Sequence, residues 1–76
     1  MPTHLLATTL VRGDHVRSFE VRPARADEWF GWEASEHQDE RLVQQQRYSD
    51  WHRVERILNR FTRQISELRQ QGWLEA

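Results

Sequence analysis

The hydrophobic pattern of this chain changes period once, near residue 49. Upstream, apolar and polar positions alternate in short runs. Downstream, they recur every three or four residues. Trp51, Val54, Ile57, Leu58, Phe61, Ile65 and Leu68 fall within about 120° of a helical surface. Ser49 suits the N-cap, and Asp50 at the first helical position complements the dipole. Gly72 suits the left-handed position after the helix, which would bring Trp73 onto Leu68. The pattern predicts a helix from Asp50 to Gln71, roughly 33 Å long. Its apolar stripe needs a partner, because an isolated helix of this composition has little stability of its own.

The alternating runs supply that partner. His4 to Val11 and His15 to Arg22 flank Gly13-Asp14, a glycine-first signal for a type II′ hairpin. Closing it there sets Leu10 opposite Arg17, Thr8 opposite Phe19 and Leu6 opposite Val21. Leu6, Leu10, Phe19 and Val21 then share one face. Pro23 cannot donate to a ladder, so Pro23 to Glu28 reads as a break. Trp29 to Glu36 alternates again, with Phe30, Trp32 and Ala34 on one side and Trp29 on the other. A loop at Gln38 to Glu40 leads to a fourth strand, Arg41 to Tyr48, and aligns Leu42 and Tyr48 with the Phe30/Trp32/Ala34 face.

A helix beginning near Asp39 competes with this fourth strand, since Gln and Arg are good helix formers. It would carry Leu42 and Tyr48 off the apolar stripe, which favours the strand. The expected fold is α+β: a four-stranded antiparallel meander in β-β-β-β-α order with one long C-terminal helix packed on one face. Residues 1–76 form one small domain. The run from Phe30 to Phe61 resembles, in outline only, small meander-plus-helix domains such as the DNA-binding arms of phage-type integrases. It carries no signature residue and assigns no family.

Composition narrows the possible functions. The chain has no cysteine, which excludes disulfides and thiolate metal sites and suits a reducing compartment. Self-association remains as a route to extra stability for so small a core. No apolar run reaches membrane-spanning length, and the N-terminus lacks a basic signal-peptide region. A soluble, cytoplasmic protein is expected, with no membrane association.

All eleven basic residues are arginine, and the formal net charge is −1. The charge is unevenly divided: residues 1–40 are net −4 and residues 41–76 net +3. Arg53, Arg56, Arg60 and Arg63 fall within about 80° of one another on the helix. They could meet successive phosphates or an acidic protein surface, or they could serve only as a solvated face paired with Glu55 and Glu67.

Six acids lie between Asp27 and Glu40. They match no calcium-loop spacing and have no Cys or Lys nucleophile nearby, so a charged hairpin is the simplest reading. They could also meet the arginine face of a second copy. Glu33 and Glu36 are the best candidates for acid–base work. His4, His15, His37 and His52 show no metal-ligand spacing and are expected to be solvated. The tripeptide Arg12-Gly13-Asp14 is explained by its turn.

Trp29, Phe30, Trp32, Tyr48 and Trp51 are expected to gather at one end of the meander, as core or as a stacking platform. Trp29, on the opposite face, marks an interface if exposed. The functional expectation is a non-catalytic interaction module that needs no metal or cofactor. Its partner would be another protein or a second copy, with Arg53, Arg56, Arg60, Arg63 and Trp29 as candidate contacts. The alternative is weak nucleic-acid binding through the same arginines.

Overall fold

The computed structural model describes residues 4–26 and 29–76. Its elements are β1 (Leu6–Arg12), β2 (His15–Ala26), β3 (Trp29–Gln38), β4 (Arg41–Tyr48), α1 (Trp51–Gln70) and β5 (Leu74–Glu75). The antiparallel sheet has the order β4-β3-β2-β1-β5. The α+β meander with one helix is therefore the observed fold. Among the described residues, no helix is long and apolar enough to cross a membrane.

The first hairpin forms in the expected register, with Leu6 opposite Val21, Thr8 opposite Phe19 and Leu10 opposite Arg17. Gly13 has a φ of 58° and Asp14 has no positive φ, as a type II′ turn requires. The helix–sheet core contains Leu10, Phe19, Val21 and Ala34 from the strands, and Val54, Ile57, Phe61, Ile65 and Leu68 from α1. Phe19 meets Phe61 edge-on, with ring centroids 5.1 Å apart.

Four local expectations are corrected. Pro23 does not end β2, which continues to Ala26 with Pro23 opposite Trp32. Leu5 N–H donates to the Val21 carbonyl, so the Val21 backbone faces β1. Pro23 faces the same way two residues later, beyond the start of β1, and its missing N–H breaks no bond to β3. Asp27 and Glu28, the end of the expected break, lie outside the described residues.

The third turn is Asp39-Glu40, not Gln38 to Glu40, and both residues have positive φ, 50° and 68°. A bulge follows: Glu36 lies opposite Gln44, but His37 lies opposite Leu42. Leu42 thereby moves to the face away from the helix, while Tyr48 stays on the helix face opposite Trp32.

The N-cap is Asp50, not Ser49. The Asp50 carboxylate accepts from His52 N–H at 3.0 Å and its carbonyl from Val54 N–H. The start of α1 at Trp51 also rules out a helix beginning near Asp39.

The helix end follows expectation and adds a strand. Gly72 has a φ of 97°, Gly72 N–H donates to the Arg69 carbonyl and Trp73 N–H to that of Leu68. This is a Schellman cap, and Trp73 packs against the core. The reversal aims Leu74–Glu75 at the open edge of β1, where they form β5.

Removing the central ring contact tests this core. Phe61→Ala is expected to lower unfolding stability by about 3–5 kcal/mol. Phe30→Ala, at a 58% exposed position, is expected to cost about 1 kcal/mol or less. Urea denaturation of the two variants checks the contrast.

Candidate functional site

Two sets of arginines stand in contrasting surroundings. The first is tied down by carboxylates across strands. Glu33, only 5% exposed, lies on the sheet face away from α1, between Arg22 on β2 and Arg47 on β4. Arg22 Nη2 donates to its Oε1 at 2.9 Å and Arg47 Nε to its Oε2 at 3.2 Å. Burial pushes the Glu33 carboxyl up, but hydrogen bonds from Arg22, Arg47 and Gln45 outweigh it and hold the pKa below its ordinary value.

Glu36 lies on the other face, toward the helix, where Arg17 Nη2 donates at 2.8 Å and Gln38 Nε2 at 3.2 Å. The two best acid–base candidates therefore stand on opposite faces of one sheet, each engaged by arginine. Among the described residues, no group of three or more His, Asp or Glu side chains could hold a metal ion.

The acidic hairpin is likewise engaged within the chain. Asp39 accepts from Val16 N–H at 2.9 Å and meets His15 Nδ1 at 3.1 Å. The Val16 bond and then His15 lower its pKa. Among the described residues of Asp27 to Glu40, only Glu40 then remains to meet the arginine face of a second copy. His4 and His15 are exposed, as expected, and each also has an acidic neighbour: His15 meets Asp39, and His4 Nε2 lies 3.0 Å from Glu20.

The second group is on α1. Arg53, Arg56, Arg60 and Arg63 are all exposed, and none forms an ion pair among the described residues. The expected helical partners do not engage them. Glu55 instead accepts from Trp51 Nε1 at 2.6 Å, and Glu67 forms no ion pair among the described residues.

Arg53, Arg56 and Arg60 line a groove of about 390 Å³ with Ile57 and Tyr48. Arg63 lies outside its lining. Tyr48 ends β4, so the groove runs where the helix flank meets the fourth strand. Gln44 and Gln46 share the helix-facing side of β4, and the Tyr48 hydroxyl donates to Gln46 Oε1.

Tyr48 is the aromatic residue in the groove lining, and a separate set of rings packs around Trp32. Trp32, opposite Tyr48, meets Trp51 at 5.4 Å and Phe30 at 6.0 Å between centroids. Phe30 is 58% exposed and Trp51 43%, and Arg25 lies over the Phe30 ring. Trp29 is separate from this group. It is half-buried on the opposite face, with Arg47 over its ring at 5.6 Å. Its six-membered ring covers Gly31, where an added Cβ would overlap both that ring and the Tyr48 carbonyl oxygen.

Residue spacing alone could find the four arginines. It missed the groove, because its wall depends on β4 register, and it missed the Arg22–Glu33–Arg47 ladder, because its members come from three strands.

The ladder makes a pH prediction. A depressed folded-state pKa contributes stability that is present above the unfolded pKa and is lost as pH falls through the folded one. Glu33→Gln is expected to cost about 1–3 kcal/mol near neutrality. The gap between wild type and variant should shrink as the solution is acidified below the ordinary glutamate range, which urea midpoints at a series of pH values will show. Comparison with protein-family models, curated proteins and solved structures finds no match for this chain.

Proposed function

We propose that this chain is a non-catalytic interaction module that binds a negatively charged protein segment in the groove between α1 and β4. The supporting observation is the groove itself. Arg53, Arg56 and Arg60 converge on it without an ion pair among the described residues, while Arg17, Arg22 and Arg47 are neutralised inside the fold. Guanidinium groups suit bidentate carboxylate recognition. Tyr48 in the groove lining is a residue type enriched at interface centres. A binding role also fits the separation of Glu33 from Glu36 onto opposite faces of the sheet. The proposal places the module in the cytoplasm, where a cysteine-free chain suits the reducing conditions.

One observation favours a second reading. Exposed rings at Phe30 and Trp51, on a protein that also carries a cationic groove, suit single-stranded nucleic acid, whose bases stack on such rings. The net charge of −1 opposes a general attraction to nucleic acid, so the acidic protein segment takes precedence.

Titration with polyglutamate and, separately, with oligothymidylate tests the choice. Polyglutamate is expected to bind and to weaken with added salt. Reversing Arg56 and Arg60 together to Glu should weaken binding by at least about tenfold while shifting stability by no more than about 0.5 kcal/mol per site. Binding of oligothymidylate without polyglutamate would favour the second reading.

A further inference from the structure

β4 forms one edge of the sheet and is paired with β3 alone among the described strands. Its bulge sits toward the hairpin end, beside Leu42, and leaves Gln44 to Tyr48 as a regular run. Antiparallel alternation fixes which backbone groups are free there. The Val21 backbone faces β1, so the Glu20 backbone faces β3, opposite Ser35. It follows that Trp32, Ala34 and Glu36 face β4, and that Tyr48, Gln46 and Gln44 bond back to β3. The N–H and C=O groups of Gln45 and Arg47 therefore point outward from the sheet.

We infer that the occupant of the arginine groove is an extended acidic segment of a partner protein, added to β4 as a further strand. This inference rests on the proposed function and specifies how the partner binds. A strand bonded to Gln45 and Arg47 would direct every second side chain to the helix side of the sheet. That side holds the groove, with Tyr48 at its base and Arg53, Arg56 and Arg60 along its wall.

The spacings agree. Alternate side chains of a strand repeat every ~7 Å, and Arg53 to Arg60 spans about 10 Å along the helix. Two carboxylates on alternate residues fit that span.

Charge also selects the occupant. Pairing β4 with the β4 of a second copy would bring Arg41, Arg47 and the arginine wall of each copy toward those of the other. An acidic strand meets the same groups with opposite charge.

The test uses the whole chain and four probes: a Thr-Glu-Thr-Glu-Thr-Glu-Thr peptide, the Pro-Glu-Pro-Glu-Pro-Glu-Pro peptide of equal charge, a Thr-Lys counterpart and oligothymidylate. Proline cannot supply the ladder donors. The Thr-Glu peptide is expected to bind at least about tenfold tighter than the Pro-Glu peptide and to slow amide exchange at Gln45 and Arg47. The Thr-Lys peptide should not bind.

Equal binding of the two acidic peptides, with the amides of Gln45 and Arg47 unchanged, would overturn strand addition and leave the arginine-groove reading intact. Failure of both acidic peptides, or binding of oligothymidylate alone, would overturn both. Binding of the Thr-Lys peptide as tightly as the Thr-Glu peptide would remove the charge argument.

Discussion

One helix must cover a sheet wider than itself, and much of this structure follows from that mismatch. A helix with its side chains is about 10–12 Å across, while five strands at ~4.8 Å spacing span roughly 24 Å. The apolar stripe of α1 meets Leu10, Phe19, Val21 and Ala34, all on β1, β2 and β3. β4 contributes only Tyr48 to this packing, at the margin. Its other helix-facing residues, Gln44 and Gln46, are polar and stand outside the apolar core. The groove between α1 and β4 is what remains when the helix settles on the inner strands.

Charge is arranged around the same division. Arg17, Arg22 and Arg47 on the strands have acidic neighbours across the sheet, and the pairing is close enough to bury Glu33 and Glu36 without leaving either carboxylate unsatisfied. Arg53, Arg56 and Arg60 on the helix flank have no such neighbours among the described residues. The next acids along α1 are Glu55, occupied by Trp51, and Glu67, which forms no ion pair among the described residues. The C-terminal half of the chain is basic in sequence, and the fold concentrates that charge on one wall of one groove. An acidic strand bound there would extend the sheet and widen the layer the helix leaves uncovered.

Much of the architecture was legible because it depends on local signals. Gly13-Asp14 fixes the first hairpin and its register. Gly72 and Trp73 announce the Schellman cap, and the stripe from Val54 to Leu68 identifies the buried helical face. The N-cap misreading is local, since the Asp50 side chain itself caps His52 N–H, and the others depend on a neighbouring strand.

Pro23 is tolerated because β1 is absent at that point. Leu42 changes face because Asp39 and Glu40 form a tighter turn than expected and a bulge absorbs the difference. β5 exists because the cap aims two residues at an open edge. The arginine row was visible in the sequence, but its division into Arg53, Arg56 and Arg60 within the groove and Arg63 outside it was not. Trp29 read as an interface candidate, yet it is half-buried over Gly31, a glycine that tolerates the close ring.

The central claim is that Arg17, Arg22 and Arg47 are engaged by carboxylates of the fold while Arg53, Arg56 and Arg60 are left for a partner. NMR of the arginine side-chain N–H groups, recorded with and without polyglutamate, tests it most directly. The account predicts that Arg47 Nε–H, bonded to Glu33, exchanges slowly and does not respond to the polyanion. It predicts that Arg53, Arg56 and Arg60 exchange rapidly and shift on its addition. Equal protection of both groups before addition, or a response confined to Arg47, would contradict it.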